Sequence, residues 1–186
     1  VPRRPMQRPM SACVELHIEQ GPVLERAAVP LGVVTGIQSV RWYRVECTGV
    51  MAHAGTTPMD ERSDAMATAV GIAHQLYAYA AAEAASQLRL TLGRWQVGPN
   101  SVNTIPGKVE FTIDVRCVDE AVLARFEAML DAVTVQARPR QGGITYQCFF
   151  RRPPTHFPAA MLNLIERACA RASEQASQGK PLHLTS

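Results

Sequence analysis

The sequence lacks a long apolar run, and that absence excludes a protein whose sequence here contains a membrane-spanning helix. No apolar stretch approaches the ~20 residues that a membrane-spanning helix needs. The amino end also lacks the apolar core of a secretory signal peptide. We therefore expect no membrane partner.

The sequence also lacks a paired-cysteine motif. Its cysteines are odd in number and widely spread, and most are embedded in apolar alternation: Cys13, Cys47, Cys117, Cys148 and Cys169. This usage is typical of small buried side chains in a cytoplasmic protein. It favours neither a disulfide framework nor a CxxC zinc knuckle.

Charge of either sign is sparse, at 19% of 186 residues with a net charge of +3. Part of the excess comes from Arg3, Arg4 and Arg8 in a proline-rich start, which is typical of a solvated tail or linker and not of a nucleic-acid surface. With 47% hydrophobic residues, the chain is long enough for a core. We expect one domain, or one domain with a piece of another.

The clearest pattern is the strand predicted from Lys108 to Arg116. One face carries Val109, Phe111, Ile113 and Val115, and the other face is polar. Asn103 precedes the turn that leads into this strand. The Asn103 amide and the Arg116 guanidinium therefore lie at opposite ends of one element. Arg116 has two interpretations: an ion pair with Asp114 or Glu110 on a solvated face, or a grip on a ligand carboxylate.

The elements around this strand predict a ferredoxin-like βαββαβ sandwich from about Ser39 to Pro154. The predicted order is a strand over 40–49, a helix from Thr57 as N-cap to about Glu83, a strand from Leu88 to about Val97, the strand ending at Arg116, a helix capped by Asp119, and a strand over 144–150.

The flanking segments are too few to build a core of their own. Cys13–Glu19 alternates and predicts a short strand, Leu31–Gln38 is apolar, Pro158 to about Ala176 has helical spacing, and the segment from Leu182 starts like a strand. We interpret 1–38 and 155–186 as pieces of an absent larger α/β domain, and 39–154 as a domain inserted into it.

Two histidines are candidate functional residues. His17 projects from the polar face near the carboxyl end of its predicted strand, where open α/β sheets usually place their chemistry. One histidine makes no metal site, so a structural role stays open for it. His53 lies in a glycine-containing loop just before a predicted helix start, where a donor can meet developing negative charge. The alternative is a loop histidine bonded to a nearby carbonyl.

Four motifs in order resemble one family across nearly the whole chain. They are Glu-Leu-His-Ile-Glu-Gln-Gly-Pro from Glu15, His-Ala-Gly-Thr-Thr-Pro-Met from His53, Asn-Thr-Ile-Pro-Gly from Asn103, and Asp-Val-Arg from Asp114. The chain resembles the amidohydrolase branch of the dinuclear zinc aminoacylase and carboxypeptidase superfamily. That branch contains N-carbamoyl-L-amino-acid hydrolase, allantoate amidohydrolase and β-ureidopropionase.

The resemblance implies a zinc-peptidase-like α/β catalytic domain interrupted by a ferredoxin-like lid that also forms a homodimer. It implies that His17 is a zinc ligand, with manganese or cobalt as alternative metals, and that Gln20 lies at the substrate. Asn103 and Arg116 are implied to hold the carboxylate of a small ureido or carbamoyl acid. His53 is implied to reach the partner's active site and stabilise the oxyanion.

The resemblance also implies that this chain is a fragment without activity. In the family, the remaining ligands and the general base lie upstream of anything present here, and a last histidine ligand lies downstream. One ligand of five does not hold a dinuclear site. We therefore expect no cofactor bound to this fragment, and a zinc-dependent hydrolase of linear amide C–N bonds in the parent protein.

Two other function classes compete with this hypothesis. A non-catalytic ferredoxin-like module that dimerises or binds a small acid fits the composition and topology equally well. Such a module gives no reason for a strand that carries His17 and is followed by Gln20. RNA binding is disfavoured because the only aromatic residue of the Lys108–Arg116 strand, Phe111, lies on the apolar face.

Overall fold

A computed structural model describes residues 9–137, 139–175 and 182–185. The helices are α1 (Val23–Ala27), α2 (Ala65–Ala82), α3 (Glu120–Gln136) and α4 (Ala159–Gln175). The strands are β1 (Gly32–Ile37), β2 (Ser39–Thr48), β3 (Ala52–His53), β4 (Arg89–Thr91), β5 (Trp95–Gly98), β6 (Thr104–Ile105), β7 (Lys108–Cys117), β8 (Gly143–Arg152), β9 (Thr155–His156) and β10 (Leu182–Thr185).

The main sheet has the strand order β4-β7-β2-β8. Strand β5 also pairs with β7, along the same edge of β7 as β4. Every pairing in this sheet is antiparallel. With α2 after β2 and α3 after β7, this is the predicted ferredoxin-like βαββαβ order, which is confirmed. Two further small sheets have the strand orders β10-β1-β9 and β3-β6.

The chain divides into two compact units. One is Val34–Ala159 together with the residues after His183, and the other combines the segment up to Val33 with Ala160–His183. The first unit contains the ferredoxin-like sheet with α2 and α3. The second contains α1 and nearly all of α4.

The core lies between the sheet and the two long helices. Both central strands bury one face completely, and the helices supply Ile72, Leu76, Leu123, Phe126 and Leu130, each with 0% exposure. Strand β7 contributes Val109, Phe111, Ile113 and Val115, also at 0%. Each large side chain buried this way contributes about 1.5–3 kcal/mol. The alternation read from the sequence therefore corresponds to the buried and open faces of the sheet.

The start of α2 differs from the prediction. Thr57 is not its N-cap: the Thr57 hydroxyl donates to the carbonyl of His53, and the chain after Pro58 forms a short 3₁₀ turn at Met59–Glu61. The helix begins seven residues later, where Asp64 Oδ1 accepts from the N–H groups of Met66 at 2.8 Å and Ala67 at 3.2 Å. The carboxylate satisfies two free helix donors, so it is the stronger cap.

The predicted strand from Leu88 to Val97 is interrupted. It forms β4 and β5, with Leu92, Gly93 and Arg94 between them facing only two residues of β7. One extra residue of this kind makes a bulge and bends an edge strand. Both halves still pair with β7, so the predicted topology is unchanged.

Helix α3 begins at its predicted cap and is tied to β2 by a buried arginine. The Asp119 carboxylate accepts from the Ala121 N–H at 2.8 Å. Arg41, 3% exposed, forms ion pairs with Glu120 and with Glu127, the latter at 2.6 Å. Hydrogen bonding from Ser39 lowers the pKa of Glu120 below its ordinary value. Partial burial opposes this shift in pKa, and Arg41 reinforces it.

The predicted strand at Cys13–Glu19 is wrong. These residues have no regular secondary structure, and Leu16 and Ile18 are 91% and 79% exposed. A strand needs neighbours for its backbone N–H and C=O groups, and no strand among the described residues pairs with this segment. The short helix α1 that follows was not predicted, whereas α4 and β10 match their predicted segments.

None of the helices in the described part of the chain is long and apolar enough to cross a membrane. All five cysteines are free thiols: Cys47 and Cys117 are buried, Cys148 and Cys169 are half-buried, and Cys13 is exposed. The expected burial therefore holds for Cys47 and Cys117, holds in part for Cys148 and Cys169, and fails for Cys13.

Candidate functional site

His53 and Asn103 are brought together at one end of the sandwich. Strand β3 pairs with β6, which sets His53 opposite Thr104. One residue further along, the Ala54 N–H donates to the Asn103 carbonyl at 2.9 Å. Two loops that are about 50 positions apart in sequence thus form a single backbone-paired unit.

The His53 ring is held by a hydrogen bond at Nδ1. Its Nδ1 accepts a hydrogen bond from the Gly55 N–H at 3.1 Å. A neutral imidazole with Nδ1 as the acceptor carries its proton on Nε2. The side chain is exposed, so the Nε2–H is available as a donor to a ligand. This contact differs from the alternative expected from the sequence, a bond from the ring to a carbonyl.

Gly55 is required at its position because of this ring. A Cβ atom at Gly55 would lie 3.2 Å from His53 Cε1. That contact is tighter than ordinary van der Waals spacing, so a larger residue would push the imidazole away. Gly55 therefore leaves space for the His53 imidazole and donates the N–H hydrogen bond that fixes the orientation of the ring.

Arg62 braces the same loop, and sequence reasoning missed it. Its Nη2 donates to the Ala54 carbonyl at 2.6 Å and its Nε donates to the Thr57 carbonyl at 3.1 Å. Both acceptors lie within four residues of His53. The only sequence signal for this role is the arginine itself, within the stretch Met-Asp-Glu-Arg-Ser-Asp. That signal is weak, because a charged residue ahead of a helix is ordinarily solvated.

The amide of Asn103 presents its donor side. Its Oδ1 accepts from the Ser101 hydroxyl at 2.9 Å and lies 3.5 Å from the Thr104 hydroxyl. The Nδ2 group has no hydrogen-bond partner among the described residues. At this end of the fold, His53 and Asn103 therefore both offer N–H donors, an arrangement suited to an oxygen that carries negative charge.

Arg116 lies at the other end of β7 and pairs with Asp114. Its Nε donates to Asp114 Oδ1 at 2.9 Å and its Nη2 to Oδ2 at 2.7 Å. This hydrogen bonding raises the pKa of the Arg116 guanidinium further above its ordinary value. The ion-pair interpretation of Arg116 is therefore realised. The guanidinium has five donors, so the Nη1 edge stays available for a ligand.

A strand length separates Arg116 from the His53 end of the fold. The Pro106-Gly107 turn after Asn103 leads into Lys108, and Lys108 to Arg116 is eight residue steps. At about 3.3 Å per step, the two ends lie roughly 26 Å apart. One small molecule cannot contact Arg116 and His53 of the same chain.

His17 and Gln20 lie in the other compact unit. The His17 Nε2 is 3.1 Å from Glu15 Oε1 and the ring is exposed. Gln20 has a positive φ of 56° just before α1. The Glu19 carboxylate caps α1 by accepting from the N–H groups of Val23 at 2.6 Å and Leu24 at 2.9 Å. Glu19 is thus committed to the helix.

The described residues do not by themselves fit a zinc centre. No group of three or more His, Cys, Asp or Glu side chains among them could hold a metal ion. His17 and Glu15 supply one possible pair of donors, and a protein zinc site takes at least three.

Aromatic residues on the open face of the sheet were also missed. The Trp42 ring lies 4.6 Å from that of Phe150 and 6.0 Å from that of Phe149, and the Arg44 guanidinium lies 5.4 Å from the Phe149 ring centre. They cluster because the register of β8 on β2 shifts beside Trp42, which no local pattern signals. On β7, Phe111 is buried as predicted.

The family follows from a match over the ferredoxin-like unit. Residues 35–140 match the family model described as the peptidase dimerisation domain, of the M20 group. The chain belongs to the M20 peptidase dimerisation domain family. The match covers more than half of the chain and includes His53, Asn103 and Arg116. The family resemblance predicted from the four motifs is confirmed.

Curated relatives of this M20 chain are amidohydrolases. It is 42% identical over 131 residues to allantoate amidohydrolase of Bacillus subtilis, covering 68% of this chain and 32% of the relative. It is 34% identical over 165 residues to N-carbamoyl-L-amino-acid amidohydrolase of Paenarthrobacter aurescens, covering 87% of this chain and 39% of the relative.

A solved structure with the same fold is a hydantoinase/carbamoylase family amidase from Burkholderia vietnamiensis. It is 37% identical with a TM-score of 0.79, and the match covers 91% of this chain and 40% of that one. The M20 chain thus spans about two fifths or less of the length of these relatives.

Proposed function

We propose that this M20 chain is the lid and dimerisation part of a hydrolase that cleaves linear amide C–N bonds in N-carbamoyl-L-amino acids or allantoate-like ureides. The amidohydrolase relatives support the reaction class. Because the chain spans only part of their length, the activity is assigned to the whole protein. We assign that protein to the cytoplasm, consistent with the free thiols.

The observation that carries this proposal is the separation of two donor groups within the ferredoxin-like unit. His53 and Asn103 are joined through β3 and β6, and Arg116 lies roughly 26 Å away along β7. If all three contact one small substrate, they come from two subunits. A homodimer through this domain therefore completes each site, with Arg116 from one subunit and the His53 end from its partner.

Each residue has a role that suits its donors. Arg116 binds the substrate carboxylate through the Nη1 edge, and Asp114 holds the guanidinium in place. The His53 Nε2–H donates to the carbonyl oxygen of the ureido group, which gains negative charge as the carbon is attacked. The Asn103 amide adds a donor beside it, where it can contact the ureido oxygen or the carboxylate.

The metal belongs to the whole protein. We propose zinc, with manganese or cobalt as alternatives, held by His17 and by residues outside this chain, with Gln20 near the substrate. Since binding energy requires a complete ligand set, the chain by itself is proposed to bind metal weakly and to have no activity.

The test is an assay of the whole protein and of this chain on N-carbamoyl-L-amino acids and on allantoate, with and without zinc, manganese or cobalt. We expect metal-dependent hydrolysis by the whole protein and none by the chain. A metal-loaded dimer of the whole protein that cleaves no ureide would contradict the proposal. It would favour a non-catalytic module that dimerises or binds a small acid.

A further inference from the structure

Three arginines form a row across the open face of the sheet. Arg89 on β4 lies directly opposite Arg116 on β7, and Val40 of β2 lies opposite both Arg116 and Arg152 of β8. Residues directly opposite in antiparallel strands point to the same face. The row therefore reads Arg89, Arg116, Val40 and Arg152 at one end of the sheet.

Arg89 and Arg116 form a like-charge cross-strand pair. Such pairs destabilise a sheet, because directly opposed residues have backbones only about 5 Å apart. Both side chains are exposed. A ligand that carries negative charge would lower this repulsion.

The carboxylates nearby do not balance this charge. Asp114 is the ion-pair partner of Arg116, and the Arg89 guanidinium donates to the Gln87 carbonyl at 3.0 Å. Among the described residues, no carboxylate lies within ion-pair distance of Arg89 or Arg152. The row thus carries three guanidinium groups and one carboxylate.

The neighbouring position on β4 leaves the pair open to a ligand. Thr91, two residues along the same face, lies opposite Asp114 and has a short side chain. One carboxylate can use the Nη1 edge of Arg116 while a second, a few bonds away, uses the Arg89 fork. A ligand that uses both groups therefore carries two acid groups.

We propose that Arg89 is a specificity-determining residue that selects substrates with a second carboxylate, namely N-carbamoyl amino acids with an acidic side chain. The inference rests on the proposed function, in which Arg116 holds the α-carboxylate. Arg89 then holds the side-chain carboxylate. Arg152, one strand beyond Val40, adds long-range attraction without a direct contact.

The test compares an isosteric pair of substrates in the whole enzyme, N-carbamoyl-L-aspartate and N-carbamoyl-L-asparagine. We expect the wild type to prefer the aspartate compound in kcat/KM. Arg89→Gln should lower that preference about three- to tenfold, the size of a partly exposed charge pair. The preference should also weaken as ionic strength rises.

Arg125→Gln is the matched control. It removes the same charge from an exposed arginine on α3, away from the open sheet face. Arg125 pairs there with Glu83 at 3.4 Å. We expect it to leave the ratio between the two substrates unchanged. An equal fall in the ratio for Arg125→Gln would mean that net charge alone sets the preference, and would overturn the role of Arg89.

A binding measurement separates this inference from the proposed function. Calorimetry of the whole protein with succinate, its monoamide and inorganic phosphate needs no turnover. If the whole protein cleaves no ureide, the proposed function fails, and the inference still stands if succinate binds best and Arg89→Gln removes that advantage. An unchanged succinate advantage in Arg89→Gln, no advantage in the wild type, or equal binding of phosphate would overturn it.

Discussion

The Arg62 guanidinium donates to the Ala54 carbonyl at 2.6 Å, and its Nε reaches the Thr57 carbonyl at 3.1 Å. One planar side chain thereby spans the loop that presents His53. Lys has a single ammonium group in place of the fork, so it cannot make both bonds with the same geometry. In the proposed site, Arg62 is therefore a positioning residue for the imidazole.

We expect Arg62→Lys to lower kcat of the whole enzyme about tenfold with a small change in KM, because a displaced imidazole weakens a contact made mainly in the transition state. Steady-state kinetics measures the change. The control is the same substitution in a His53→Ala background, where no further loss is expected. A further tenfold loss in that background would show that Arg62 acts on something other than His53.

Arg116→Lys should mainly raise KM. In the proposed site, Arg116 grips a carboxylate that is present equally in the ground and transition states, and Lys keeps the charge while losing the bidentate fork. Asp114→Asn should act in the same direction more weakly, since it loosens the guanidinium without removing it. Kinetics in which Arg116→Lys lowers kcat at unchanged KM would argue against a carboxylate grip.

Gly49→Ala should destabilise the sandwich. A Cβ atom at Gly49 would lie 2.1 Å from the Ser63 carbonyl oxygen, so the backbone must move. We expect a loss of about 2–4 kcal/mol in the free energy of unfolding, measured by urea denaturation. Gly71→Ala is the control: it lies within α2 with nothing within 4 Å of the added Cβ, and should stabilise by about 0.5–1 kcal/mol. Equal effects of the two substitutions would contradict this packing.

Glu120 should contribute to acid sensitivity. Its pKa is lowered in the folded state by the hydrogen bond from Ser39 and by Arg41, against the opposing effect of burial. The stabilisation is therefore present above its unfolded pKa of 4.5 and is lost as the pH falls through the lower folded value. Glu120→Gln should flatten the dependence of unfolding free energy on pH in that acid range. An unchanged slope in the variant would exclude Glu120 as a source.

Local patterns predicted the elements that depend on local chemistry. Strand β7 followed from strict alternation, and the start of α3 followed from Asp119. Thr57 was misjudged because two N-cap candidates lie within seven residues, and only the hydrogen bonds show that Asp64 caps the helix. Cys13–Glu19 alternates like a strand, yet alternation does not supply pairing neighbours.

Non-local contacts account for what the sequence could not indicate at the candidate site. Asn103 meets the His53 loop through β3 and β6, which are too short to be recognised as strands. Arg89 faces Arg116 only because β4 pairs with β7 in one register, and a shift of one residue would turn it to the other face. The role of Arg62 depends on the late start of α2.

The most direct test of the account is complementation between two inactive variants of the whole enzyme. His53→Ala subunits keep His17, the proposed metal ligand, and His17→Ala subunits keep the imidazole of His53. If His53 acts across the dimer, one of the two sites in each mixed dimer combines an intact metal ligand with an intact imidazole. We expect mixed dimers, formed by co-expression and purified with two tags, to recover up to about half of the wild-type turnover per dimer. Mixed dimers no more active than either parent would show that His53 does not serve the partner's site.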